Sequence, residues 1–124
     1  MRRFSTLVRV IATAAAAAAL AGVVIASTPD DVEKLKSTGS CAGCDLFGEN
    51  LAGVQAQNGD LSNANLGEAS FYGGNLSGAN LSGAILDGAN LKMVNLNGAI
   101  GVNFGTAETD ARTTCPDGSS GPCQ

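Results

Sequence analysis

The sequence predicts an all-β solenoid: a coil of short extended segments, with a small helix laid over its first turn. Three repeated positions predict it. From Cys44 to Gly98, leucine stands at 46, 51, 61, 66, 76, 81, 86, 91 and 96, with Ala56 and Phe71 in the two gaps. Two residues before each of these central slots the side chain is small, as at Ala64, Ala69, Ala79, Ala84 and Ala89, and Glu49 is the exception. Two residues after the central slot stands glycine in seven of eleven units. Self-similarity at a fixed period is the signature of a repeat architecture.

A period of five matches neither regular element, because a helical stripe recurs at 3.6 and a flat strand alternates at 2. A glycine at roughly every fifth position, costing about 1 kcal/mol each, excludes a helix across 44–98. The small residue and the leucine are two apart, so in extended backbone both point inward. The next inward pair begins three residues later, and the phase is reset at the glycine, which takes corner conformations without a Cβ penalty. Each unit is thus a short side followed by a corner.

Ala64-Asn65-Leu66, Ala79-Asn80-Leu81 and Ala89-Asn90-Leu91 resemble the A-(D/N)-L-x-x consensus of the pentapeptide-repeat family. The resemblance covers 44–98, extending toward Asn103. It implies a right-handed quadrilateral β-helix of about three coils, with four units per coil. On that geometry residues twenty apart stack, giving Leu46-Leu66-Leu86, Leu51-Phe71-Leu91, Ala56-Leu76-Leu96 and Leu61-Leu81-Gly101. Ala56 is the weak rung. The asparagines before each leucine are expected to form amide ladders between rungs. Both open ends need covers, since an uncovered rung invites end-to-end self-association.

The flanks read as those covers. Thr28-Pro29-Asp30-Asp31 is a helix start, with Thr28 as N-cap, proline at the first helical position and acids in the first turn. Val32 and Leu35 share one face, and Gly39 ends the helix. At the other end Gly101 occupies a leucine slot and Phe104 falls out of phase, so Phe104 is expected to fold over the last rung. The expected organisation is a signal peptide over 1–26, a capping helix and linker over 27–40, the solenoid over 41–103, and an irregular C-terminal cap over 104–124.

Arg2, Arg3 and Arg9 precede an uncharged run from Val10 to Ala26 that ends in Val24-Ile25-Ala26. A basic start, an apolar stretch and small closing residues make a secretory signal, with cleavage leaving Ser27 first. The alternative is an uncleaved anchor through 10–26, the one route by which this chain would meet a membrane. Three of the seven basic residues lie in that leader, so the mature chain carries four against eleven acids, a net charge of −7. Such a charge favours solubility and argues against nucleic acid as a partner.

Four cysteines in an exported chain read first as disulfides. Three pairings exist. Cys41 and Cys44 sit at the first coil, whereas Cys115 and Cys123 follow the last. Separation beyond about 7 Å would forbid bridges between the two ends. Cys115 with Cys123 and Cys41 with Cys44 are therefore the expected bonds. Cys41-Ala42-Gly43-Cys44-Asp45-Leu46 and Thr114-Cys115-Pro116-Asp117-Gly118 also resemble the lead-in and lead-out segments of some exported pentapeptide-repeat proteins. A Cys-x-x-Cys redox centre would need a helix N-terminus to lower its thiol pKa, and Cys44 opens a repeat instead. A four-cysteine zinc site would need all four to converge across the solenoid.

No histidine occurs in the chain, which removes the ordinary triad and histidine metal sites. Glu49 is read as a solvated carboxylate at the open first coil. No catalytic residue, metal or cofactor is expected. The outward residues Phe47, Tyr72, Ile85 and Lys92 form the candidate partner patch, with Met93 also outward and with Tyr72 and Lys92 one rung apart, within cation–π reach. The expected function is a non-enzymatic exported module that is structural or binds a protein. Two alternatives stand beside it. One is a DNA mimic acting on gyrase, as the family resemblance allows. The other is a small thiol–disulfide protein using Cys41 and Cys44.

Overall fold

A computed structural model describes residues 29–124. The proposed leader and the Thr28 cap lie outside the described residues. Eight parallel bridges, from Asp45–Asn65 to Asn80–Ile100, each join residues twenty apart. A coil is therefore four five-residue sides. Between successive coils the amide of each central residue donates to a carbonyl of the next layer, as where the Leu46 amide donates to Asn65 at 2.8 Å and the Leu76 amide to Asn95 at 2.8 Å.

Each corner is closed by an amide donating to the carbonyl three residues back, as from Glu49 to Leu46 at 3.2 Å and from Gly74 to Phe71 at 2.7 Å. The third residue of that turn has a positive φ, between +58° and +75°, at every unit from Gly43 to Gly98. A type II turn requires this. Glycine supplies it in most units. Asn58, Asn63, Glu68 and Met93 adopt it with a side chain. Asparagine tolerates this region, whereas Glu68 and Met93 hold it against a steric penalty.

The asparagine side chains serve the turn ahead, and this corrects the expected inter-rung ladder. Asn75 Oδ1 accepts from the Ser77 amide at 3.0 Å and the Ser77 hydroxyl at 2.7 Å. Asn80 accepts from the Ser82 amide and Asn90 from the Lys92 amide. This is the local Asx turn, which competes well because acceptor and donor are only two residues apart. A cross-rung bond does occur from Asn65 Nδ2 to Asp45 Oδ1, at 3.2 Å.

Helix α1 spans Pro29–Thr38. Leu35 is fully buried in the core cluster and Val32 packs against it. Gly39, at φ +77°, ends the helix with its amide on the Leu35 carbonyl at 2.8 Å. The chain then crosses the first coil at Ala56 and Gly59. A Cβ on Gly59 would collide with the Gly39 carbonyl, and one on Gly39 would already touch Ala56 Cα. The two short residues at the end of the stack make room for this crossing. Cys41 then takes a central slot one unit before Leu46, with its amide on the Asp60 carbonyl at 2.8 Å.

The ladder runs on past Asn103. Glu108 bridges Asn90, and Thr114 bridges Asn95. Val102-Asn103-Phe104, Ala107-Glu108-Thr109 and Thr113-Thr114-Cys115 play the small–polar–central roles of a repeat. The turn bond recurs from the Ala107 amide to Phe104 at 2.7 Å, and from Gly118 to Cys115 at 2.8 Å. Phe104 resumes the central role two residues early, and one residue is inserted before Cys115. The tail thus lays a partial fourth layer over the stack, with Thr114 also meeting Ser120 in an antiparallel bridge.

Candidate functional site

The repeat consumes its own residues. Central leucines and the small residues beside them are buried, asparagines bind their turns, and glycines form corners. What remains for function is the two ends and the outward positions.

At the first end Cys41 and Cys44 are paired, with Cα atoms 5.4 Å apart, inside the span a bridge allows. Cys41 is fully buried and Cys44 nearly so. Asp31, in the first turn of α1, reaches the same place. Its Oδ2 accepts the Asp45 amide at 3.1 Å, tying the helix to the first coil. The sequence presents Asp31 only as an acid suited to a helix start, and nothing in its spacing announces this second role. Glu49 is half-buried on this first layer.

At the far end Cys115 and Cys123 are paired, with Cα atoms 5.6 Å apart. The two pairs sit on the first and last layers. Buried Thr113 donates its hydroxyl to the Leu91 carbonyl at 2.9 Å and accepts the Asp110 amide at 3.0 Å. Asp110 in turn accepts the Met93 amide at 3.1 Å and the Arg112 amide at 3.0 Å. These are the pins of the tail. Partial burial pushes the Asp110 carboxyl up, but the Met93 and Arg112 amides, the Thr113 hydroxyl and the Arg112 charge outweigh it and hold its pKa below the usual range. The hydroxyl and amide of Ser62 lower Asp60 in the same way, and those of Ser119 lower Asp117. Beside the tail lies an open cavity of about 500 Å³, walled by Ala99, Val102, Phe104, Pro116 and Pro122.

The outward residues divide between two adjacent sides. Phe47 is exposed and lies over Gly67, whose missing side chain leaves room for the ring. Ile85 continues that side in the column of Asp45 and Asn65. Tyr72 and Lys92 stand on the next side. Lys92 places its ammonium 3.7 Å from the Glu108 carboxylate of the tail.

The pentapeptide-repeat family model matches the chain in eight copies, over residues 50–88 and 64–100. The repeat region belongs to the pentapeptide-repeat family, whose fold is the right-handed quadrilateral β-helix. Among solved structures, the chain is similar to HetL, a pentapeptide repeat protein involved in heterocyst differentiation regulation from the cyanobacterium Nostoc sp. strain PCC 7120. Identity is 32%, the TM-score is 0.42, and the match covers 66% of this chain and 40% of HetL. It is also similar to Rfr23 of Cyanothece 51142, at 26% identity and a TM-score of 0.39, covering 68% of this chain and 96% of the other. A pentapeptide repeat protein of the Arabidopsis thaliana thylakoid lumen matches at 23% identity and a TM-score of 0.32, over 68% of this chain and 72% of its own. No curated protein sequence matches the chain.

Proposed function

We propose that this chain is an exported, non-enzymatic β-solenoid that serves as a structural or protein-binding module, its first and last layers each closed by a disulfide. The reading rests on one observation: the residues of every repeat are taken up by packing, turns and ladder bonds, so the inward positions hold no free chemistry. A protein partner would read the outward side chains, chiefly Phe47, Ile85 and Tyr72, or the tail end. The basic, apolar start of the sequence supports export. DNA mimicry is disfavoured because no outward column of the stack carries more than one carboxylate. Thiol–disulfide exchange as the function is disfavoured because Cys41 is fully buried and Cys44 nearly so, which slows attack by a thiolate without forbidding reduction by excess dithiol.

The test is the intact mass of the protein recovered from the exported fraction, with and without reductant. A chain beginning at Ser27 that gains two hydrogens per opened bond, for two bonds, is expected. A full-length product retained inside the cell with four free thiols would overturn the proposal. A photo-crosslinker placed at Tyr72 in the same fraction then captures the partner by mass, and a crosslinker on the buried Leu76 column serves as the negative control.

A further inference from the structure

The N-terminal cysteine pair has a third group beside it. One carboxylate oxygen of Asp31 and the sulfurs of Cys41 and Cys44 all lie within 4.8 Å of one another. Among the described residues this is the one place where three such groups converge, and the Cys115–Cys123 pair has no equivalent. The backbone already suits a chelate. Cys41 and Cys44 flank a turn closed by the Cys44 amide on the Cys41 carbonyl at 3.2 Å, with Gly43 at φ +71°. The Asp45 amide holds the Asp31 carboxylate toward the pair. Tetrahedral coordination at about 2.3 Å to sulfur and about 2.0–2.2 Å to oxygen places ligand atoms roughly 3.5–4 Å apart, inside the 4.8 Å span of these three groups once the two sulfurs are released from their bond and move apart.

We propose that opening the Cys41–Cys44 bond with a dithiol reductant converts this corner into a binding site for a thiophilic divalent cation such as Zn²⁺ or Cd²⁺. Cys41 Sγ, Cys44 Sγ and the Asp31 carboxylate are its protein ligands, and water is the fourth. The dithiol gives up two electrons and two protons and leaves as its own disulfide, and the protein gains two thiols. Each thiol then releases its proton to solvent as its sulfur bonds the metal. Two thiolates and one carboxylate around a doubly charged ion leave a net charge of −1, in a place partly shielded by α1. Soft sulfur donors select such metals over Mg²⁺ or Ca²⁺. Because Asp31 belongs to the helix and the cysteines to the first coil, the ion would fasten one to the other.

The experiment titrates Cd²⁺ into the reduced, oxygen-free mature protein. It follows the cadmium–thiolate charge-transfer absorption and the protons released. One ion per chain and two protons per ion are expected. Asp31→Asn should weaken binding at least about tenfold, since even the loss of an outer partner of a metal ligand costs that much. Asp31→Glu should recover most of it, and the double variant Cys115→Ser, Cys123→Ser should bind as the parent does. Zn²⁺ should raise the thermal midpoint of the reduced parent and not that of Asp31→Asn. Absence of the absorption band, equal affinity in Asp31→Asn, or loss of binding with the C-terminal pair would each overturn the proposal. Should reduction unfold the chain, binding becomes indifferent to Asp31, and that outcome overturns it as well.

Discussion

Between Ser40 and Ile100 each layer follows the last by twenty residues, whereas the step to the final layer is eighteen from Asn90 to Glu108 and nineteen from Asn95 to Thr114. The backbone pattern is the same on both sides of that change. In the repeat body it is held by identical inward side chains stacked on one another, so any unit can follow any other. In the tail the leucines are gone, and Phe104, Thr109 and Cys115 stand in their slots. Specific polar pins replace periodic packing: Thr113 on Leu91, Asp110 on Met93, and Thr109 on Cys123, whose amide donates to its hydroxyl at 2.9 Å. A ladder can thus be continued by bonds to backbone alone, but each such bond must be specified.

The sharpest way to break the contrast is to remove one member of each kind. Phe71 is the largest fully buried side chain of the body. Phe71→Ala should cost about 3–5 kcal/mol and lower the single unfolding midpoint of the whole stack in chemical denaturation. Thr113→Val keeps the shape but leaves the Leu91 carbonyl and the Asp110 amide without the hydroxyl, at about 1–3 kcal/mol. Its effect should be confined to the tail, so amides from 104 onward lose exchange protection while those of the first two coils keep it. Glycine at Met93 should work in the opposite direction. It relieves a positive φ of 62° and should stabilise by about 1 kcal/mol, read as a rise in midpoint, whereas Met93→Val should destabilise.

Acid is the mildest probe. Asp60, Asp110 and Asp117 have folded pKa values below their unfolded value of about 3.9, so the unfolded chain binds more protons as pH falls. Their contribution is present above that range and is lost progressively below about pH 5. Two of the three lie in the tail, so the tail should open before the body when thermal melts are repeated from pH 6 down to pH 3.

The body was legible in the sequence because its signal lies in side chains. The leucine period, the small residues and the corner glycines each announce their role, and Val32 and Leu35 mark the inward face of α1. The asparagine role was misread because the same residue suits a ladder and an Asx turn, and only the two-residue reach to the next amide decides between them. Cys41 was hidden as a central residue because it is not leucine. The final layer was hidden for a deeper reason. Ladder bonds are made by backbone, and two residues deleted after Gly101 followed by one inserted before Cys115 erase the period without breaking the bonds. Asp31 was legible only as a helix-start acid, since its meeting with the cysteine pair depends on how α1 lies over the coil.

The most direct test of a single ladder reaching from Ser40 to Thr114 is hydrogen exchange at four amides. Leu76 and Leu81 donate to Asn95 and Ile100 within the repeats, and Leu91 and Leu96 donate to Glu108 and Thr114 of the tail. If the tail is the last layer of the stack, Leu91 and Leu96 exchange within about tenfold of Leu76 and Leu81, a difference of no more than about 1.4 kcal/mol in opening free energy. If Leu91 and Leu96 exchange as fast as exposed amides while Leu76 and Leu81 remain protected, the solenoid ends at its repeats and the account of the tail is wrong.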